Sequence, residues 1–184
     1  MNRSEGRMLM ESMHPNFFER EDIRNIPEEW TCDEMVLRLK EFDDSKYYKA
    51  FDEHVTFGYY TGDFNELTCE VKKVVESWVN FFNEKDRVYC GYIDGKIASF
   101  CLIEDMGVHN INGQILKIGG PGCVGTVPEY RNRGIGLTMV NQVTQILKNE
   151  GYDYSYIHYT GVPKWYSKIG YETTVTWNKN GIIE

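Results

Sequence analysis

Apolar positions change period several times along the chain, and the changes mark its elements. Val71, Val74, Val75, Trp78, Val79 and Phe82 recur at i, i+3, i+4, i+7, i+8 and i+11, which predicts an amphipathic helix with Thr68 as its cap. Arg87 to Ile93 and Lys96 to Ile103 then read as strands joined by the two-residue turn Asp94-Gly95. Asn112-Gly113 is a second turn of the same kind, followed by Gln114 to Ile118 and a glycine-rich strand ending at Pro128. The helical period returns after Arg131, with Met139, Val140, Val143, Ile146 and Leu147 on one face and Gly151 placed to end the helix. Tyr154 to Tyr159 reads as a strand, Pro163 to Gly170 as a short helix, and Glu172 to Trp177 as a last strand. A helix between two strands requires a parallel pairing or a crossover, so the expected class is α/β with a mixed, mostly antiparallel central sheet flanked by helices.

The first part of the chain gives weaker signals. Residues 1–30 are polar, and the first 15 are expected to be disordered. Thr31 and Glu34 have capping-box spacing ahead of Met35, Val36 and Leu39, which predicts a short helix to about Lys40. The aromatic stretch Tyr47 to Phe64, broken by Gly58 and Gly62, has no clear period. It is a candidate lining for a pocket or the packing of a flank.

Composition narrows the function. The 184 residues suit one domain spanning 1–184, with 41% hydrophobic and 26% charged residues. Twenty Lys and Arg against 28 Asp and Glu give a net charge of −8, which disfavours nucleic acid and anionic membrane surfaces and suits a cationic substrate. No apolar run is long enough for a membrane span or a signal peptide, so a cytoplasmic location is expected. The five cysteines form no CxxC pair and the four histidines no HxxxH, so neither a disulfide framework nor a metal site is expected.

The chemistry concentrates in residues 119–136, GGPGCVGTVPEYRNRGIG. Arg131-Asn-Arg-Gly134-Ile-Gly136 falls at a strand-to-helix junction. Free backbone N–H groups there make an anion site, the glycines let a phosphate approach, and the arginines add charge. The spacing is neither the dinucleotide fingerprint nor a P-loop. A turn that merely starts a helix is the plainer alternative.

Thr126-Val-Pro-Glu-Tyr-Arg-Asn-Arg-Gly-Ile-Gly136 resembles the V-x-P-x-Y-R-x-x-G-x-G signature of the GNAT superfamily, the acyl-CoA-dependent N-acyltransferases. Downstream, Trp165-Tyr-Ser-Lys-Ile-Gly-Tyr171 resembles that family's F-Y-x-x-x-G-F/Y motif. The resemblance implies a fold in which pantetheine bonds to the strand before the signature. On that mapping the Val124 N–H meets the thioester carbonyl, Gly125 and Thr126 lie along pantetheine, and Arg131, Asn132, Arg133, Gly134, Ile135 and Gly136 hold the pyrophosphate. Tyr166 matches the tyrosine that protonates the departing thiolate. The implied reaction moves an acetyl group from acetyl-CoA to the primary amine of a small molecule or peptide, without a metal. A non-catalytic CoA-binding module is the alternative, and a homodimer is the default assembly.

The sequence departs from the family at the general base. The glutamate that several members place four residues before the oxyanion donor is Gly120 here, and a frequent asparagine is Tyr159. Glu104, Asp105, His109 and His158, or an ordered water chain, are the candidate bases; His158 stands on the strand before the short helix, where it would either face the cleft or serve a structural task. Cys123 is read as a small buried side chain rather than an acyl relay.

Overall fold

A computed structural model of the protein describes residues 1–51 and 54–183, so residues 52 and 53 of the aromatic stretch lie outside the described residues. Chain order gives helices α1 (Arg3–Met13) and α2 (Glu21–Arg24), strands β1 (Cys32–Arg38) and β2 (Val55–Tyr59), and helix α3 (Phe64–Val74). There follow β3 (Val88–Ile93), β4 (Lys96–Ile111), β5 (Gln114–Thr126), α4 (Ile135–Asn149), β6 (Tyr154–Thr160), α5 (Pro163–Ser167), β7 (Glu172–Asn178) and β8 (Gly181–Ile182). The strands hydrogen-bond in the order β2-β3-β4-β5-β6-β1-β7-β8. The sheet is mostly antiparallel, and β5 runs parallel to β6 through Ile118–Tyr154 and Gly119–Ser155. The expected α/β class with a mixed sheet is what the structure shows. Two compact units make it up: Met1–Phe42 with Asp105–Gly120 and Leu147–Glu184, and Asp43–Glu104 with Pro121–Ile146.

In the second unit the β3–β4 hairpin closes as its sequence predicts. Asp94 (φ 48°) and Gly95 (φ 77°) are both left-handed, the geometry of a tight hairpin turn. β2, which the sequence left unassigned, pairs with β3 from Val55–Ile93 to Tyr59–Tyr89. The helix expected from Thr68 to Phe82 is shifted. Asp63 caps α3 by accepting from the Asn65 and Glu66 N–H groups, five residues before the expected cap. α3 stops at Val74, Val75 is extended, and a 3-10 helix follows over Glu76–Phe81. Two adjacent β-branched valines disfavour continued α-helix, while the 3-10 turns still bring Trp78 and Val79 against the cluster of Leu67, Val71, Phe82, Cys90 and Phe100. Both geometries bury the same residues, so the apolar period alone did not separate them.

Two expectations about the first unit are corrected. Residues 3–13 form helix α1 rather than a disordered arm: Asn2 and Glu5 make a reciprocal capping box, and Leu9 and Met10 are buried. Gly6 lets α1 lie close to β7, since a Cβ there would fall 2.4 Å from Thr174 Cβ. The short helix expected from Thr31 is strand β1. It pairs antiparallel with both β6 (Val36–Tyr156) and β7 (Glu34–Val175). A strand with neighbours on both sides and burial on both faces reads as an unbroken apolar run, Met35-Val36-Leu37, which has no alternation to mark it.

Candidate functional site

The glycine-rich half of β5 has a packing reason at each of three positions. A Cβ on Gly120 would fall 2.1 Å from the Tyr156 carbonyl oxygen, and one on Gly125 would fall 2.5 Å from the Phe100 ring. A Cβ on Gly122 would fall 2.6 Å from the carboxylate carbon of Glu104, so that carboxylate lies directly over the β5 backbone. Cys123 then takes a left-handed conformation (φ 48°), which interrupts the strand's alternation. Val124 and Thr126 are half-buried, and the strand is held at its end by the Val127 N–H donating to Ala98 O over 2.9 Å.

Beyond β5, Pro128–Tyr130 form a single 3-10 turn and α4 begins at Ile135. Between them Asn132 (φ 62°) and Gly134 (φ 81°) are left-handed. The first N–H groups of α4, those of Ile135, Gly136 and Leu137, precede its first intrahelical bond at Thr138 and carry the positive end of the helix dipole. The two arginines brace the loop from within. Arg131 Nε donates to Thr126 O over 3.1 Å, and an Arg133 nitrogen donates to Glu129 O over 3.2 Å while the guanidinium lies 5.6 Å from the Tyr130 ring centre. The fold also brings a cation that the sequence reading missed: the Lys49 side chain runs beside Gly134, its Cγ 2.9 Å from where a Cβ would stand. Lys49 is 85 residues away in the chain, so no local pattern announced it. Val124, Gly125, Thr126 and Arg131 to Gly136 therefore all belong to the second unit.

Tyr166 and His158 belong to the first. Tyr166 is buried on α5, with its ring edge-on to Trp165 (4.8 Å) and to Tyr171 (5.9 Å). Tyr171 in turn shares a 2.6 Å hydrogen bond with Ser155. His158 stands in a different cluster, centred on a fully buried carboxylate. Glu34 Oε2 meets the Tyr156 hydroxyl and His158 Nδ1 (2.8 Å), and its Oε1 accepts from the Trp177 indole N–H (2.8 Å) and the Tyr159 backbone N–H (3.2 Å). The sequence suggested Glu34 as a helix-capping residue; it is the polar centre of a core. Burial and the adjacent Glu34 charge push the Tyr156 phenol well above its ordinary pKa, so it remains a donor. The other face of His158 is covered by His14, whose ring stacks at 3.8 Å and 19°.

A family model described as an acetyltransferase (GNAT) domain matches residues 47–174, well over half of the chain. The chain belongs to the GNAT family. Solved structures agree on the fold. A GCN5-related glucosamine N-acetyltransferase region of a fungal multi-domain GH3 β-N-acetylglucosaminidase superposes with a TM-score of 0.67 at 20% identity, over 81% of this chain and 20% of that one. A GCN5-related N-acetyltransferase from Sphaerobacter thermophilus gives 0.59 at 17% identity, over 81% and 50%. One from Kribbella flavida gives 0.54 at 16%, over 79% and 55%. The chain thus spans little more than half the length of these GNAT structures, or less. No curated protein matches the sequence. Among the described residues, no helix is long and apolar enough to cross a membrane, and no group of His, Cys, Asp and Glu is placed to hold a metal ion.

Proposed function

We propose that this GNAT protein transfers an acetyl group from acetyl-CoA to a primary amine by direct attack in a ternary complex. The observation that carries the reading is the second unit's succession of half-buried strand end, left-handed loop and helix N-terminus from Val124 to Gly136. Such a loop suits a pyrophosphate, because backbone N–H groups and a helix dipole converge where side chains are small. Lys49 adds charge beside it, and Arg131 and Arg133 keep the loop in shape. The Val124 N–H would polarise the thioester carbonyl as an oxyanion donor does, and Gly125 and Thr126 would flank pantetheine.

The reaction needs the acceptor ammonium to lose a proton before its nitrogen attacks the carbonyl carbon. The tetrahedral intermediate then collapses, the carbon–sulfur bond breaks, and the thiolate takes a proton. Tyr166, a phenol in the family's motif position, is the donor for that last step. For His158, an Nδ1 committed to Glu34 and a ring face covered by His14 favour a structural task. The chain's net charge of −8 suits a cationic acceptor, a small-molecule or peptide amine. The test is calorimetric titration with acetyl-CoA, ATP and NAD, followed by release of free CoA thiol with a panel of primary amines. Binding of acetyl-CoA alone and amine-dependent thiol release are expected; failure to bind acetyl-CoA would overturn the reading.

A further inference from the structure

We propose a second ligand site in the first unit: the cavity walled by α1 and the 3-10 turn Phe17–Glu19 binds an α-amino acid with a large apolar side chain. The site shares no residue with the Val124–Gly136 loop, and the proposal does not depend on the acyl-transfer reading. Local sequence builds its walls. Arg7, Met10, Glu11 and His14 recur at i, i+3, i+4 and i+7, so one stripe of α1 and its C-cap line the cavity. Asn16 (φ 56°) then turns the chain in a left-handed conformation that Asn tolerates, and the Glu19 N–H donates to Asn16 O over 2.9 Å. The turn brings Phe17, Phe18 and Glu19 to the same cavity, and Ile182 of β8 completes it. The volume, about 380 Å³, is at the low end of the about 300–1,000 Å³ of small-molecule sites, which suits an amino acid better than a nucleotide.

The lining divides by polarity. Met10 and Phe17 are buried and Phe18 packs against their cluster, so the floor is apolar, while Arg7, Glu11, Asn16 and Glu19 are exposed and give a polar rim. Arg7 and Glu11 stand one helical turn apart, yet among the described residues neither side chain has an ion-pair or hydrogen-bond partner, nor has that of Glu19. Arginine before glutamate is the weaker order for such a pair, which leaves both heads for a ligand. Side chains one turn apart have Cβ atoms about 5–6 Å apart. An α-amino acid carries its ammonium and carboxylate on one carbon, so Glu11 and Arg7 can hold the two together. Glu19 gives the rim one carboxylate more than it has guanidinium groups, which disfavours a further negative charge on the ligand. His14 adds no charge near pH 7, because burial chiefly, and then His158, hold it down to about 4. Its Nε2 is buried without a hydrogen-bond partner among the described residues, so a residue of the lining has a polar bond still unmade. The ligand's apolar side chain would lie on Met10, Phe17, Phe18 and Ile182.

The test is calorimetric titration of the full chain near pH 7, without acetyl-CoA, using L-leucine and L-phenylalanine as probes. Glycine lacks the apolar side chain, leucinol the carboxylate, N-acetyl-L-leucine the ammonium, and L-glutamate carries an extra charge. At least one of the two probes should bind, and each of the four controls should bind at least about 10-fold more weakly. Arg7→Ala and Glu11→Gln alter exposed side chains, and each should weaken the probe at least about 10-fold on protein whose thermal midpoint is checked. The second variant serves if the first folds poorly. Neither probe binding to the parent, binding that survives both substitutions, or leucinol binding as tightly as L-leucine would overturn the assignment. Because acetyl-CoA is absent throughout, none of these results bears on the acetyl-transfer reading.

Discussion

The Trp177 indole N–H donates to Glu34 Oε1 over 2.8 Å, joining two fully buried side chains 143 residues apart. With the Tyr156, Tyr159 and His158 donors, each Glu34 oxygen has two partners. A buried carboxylate is tolerated only when it is paired in this way. Glu34→Gln puts an amide NH2 among groups that themselves donate, and should lower stability by about 2–3 kcal/mol. Trp177→Phe leaves one oxygen a partner short and should lower it by about 1–2 kcal/mol. Urea denaturation would measure both; a Glu34→Gln midpoint equal to the parent's would show that the carboxylate is dispensable to the core.

The His14–His158 stack should make the protein acid-sensitive. Burial first, and the neighbouring His158 second, hold His14 from its ordinary 6.5 down to about 4, with Glu34 opposing and Arg20 and His109 adding smaller repulsions. Above about pH 6.5 the ring is neutral in both folded and unfolded chains. Below that the unfolded chain takes up a proton that the folded one refuses until about pH 4, so stability falls as pH drops through this window. His14→Phe keeps a ring on His158 and removes the titration. Thermal midpoints from pH 7 to 4 should fall less steeply in the variant; parallel curves would exclude His14 as the cause.

Cys123 should be chemically quiet. Burial chiefly, and then the Glu104 carboxylate, push its thiol up to about 12, so almost none is thiolate at pH 8. Iodoacetamide at pH 8 should modify exposed Cys69 first, and Cys123→Ala should retain turnover. Trapping of an acetyl group on Cys123 would reverse this and support a relay.

Acetyl-CoA affinity should depend on the loop that Gly134 and Lys49 share. Gly134→Val places a branched side chain at φ 81°, where it is strained and where it would meet Lys49. At least a 10-fold loss of affinity is expected, read by calorimetry on protein whose thermal midpoint is checked. Lys49→Ala should weaken binding less, and its effect should shrink as salt rises. Affinity indifferent to both changes would remove the pyrophosphate from this loop.

Tyr166→Phe removes one oxygen and keeps the edge-on contacts with Trp165 and Tyr171. A proton donor to the thiolate acts in the transition state, so kcat should fall on the order of 10- to 1,000-fold with the KM for acetyl-CoA little changed. A normal kcat under conditions where chemistry limits turnover would assign the phenol to packing.

The sequence by itself determined the elements whose signals are local. Asp94-Gly95 and Asn112-Gly113 turn because residues tolerant of positive φ stand between strand-like runs. α4 follows from its apolar face, and the loop before it from two glycines and two arginines within six residues. The paired motifs around Arg131–Gly136 and Trp165–Tyr171 sufficed to indicate the family, because the loop's backbone conformation is written in its residue types.

Tertiary structure decided what depends on distant partners. β1 carries the local marks of a helix start, but pairing with β6 and β7 outweighs a capping preference worth about 1 kcal/mol. The N-terminal residues became α1 because Gly6 and Leu9 find a surface only in the folded first unit. Glu34, read as a cap, acquired its role from Tyr156, His158 and Trp177, all more than 120 residues away. Lys49 beside Gly134 and Glu104 over Gly122 are likewise long-range contacts. Each forms where a glycine leaves space for a side chain from another element, and a one-dimensional pattern records the glycine but not the residue that fills the space.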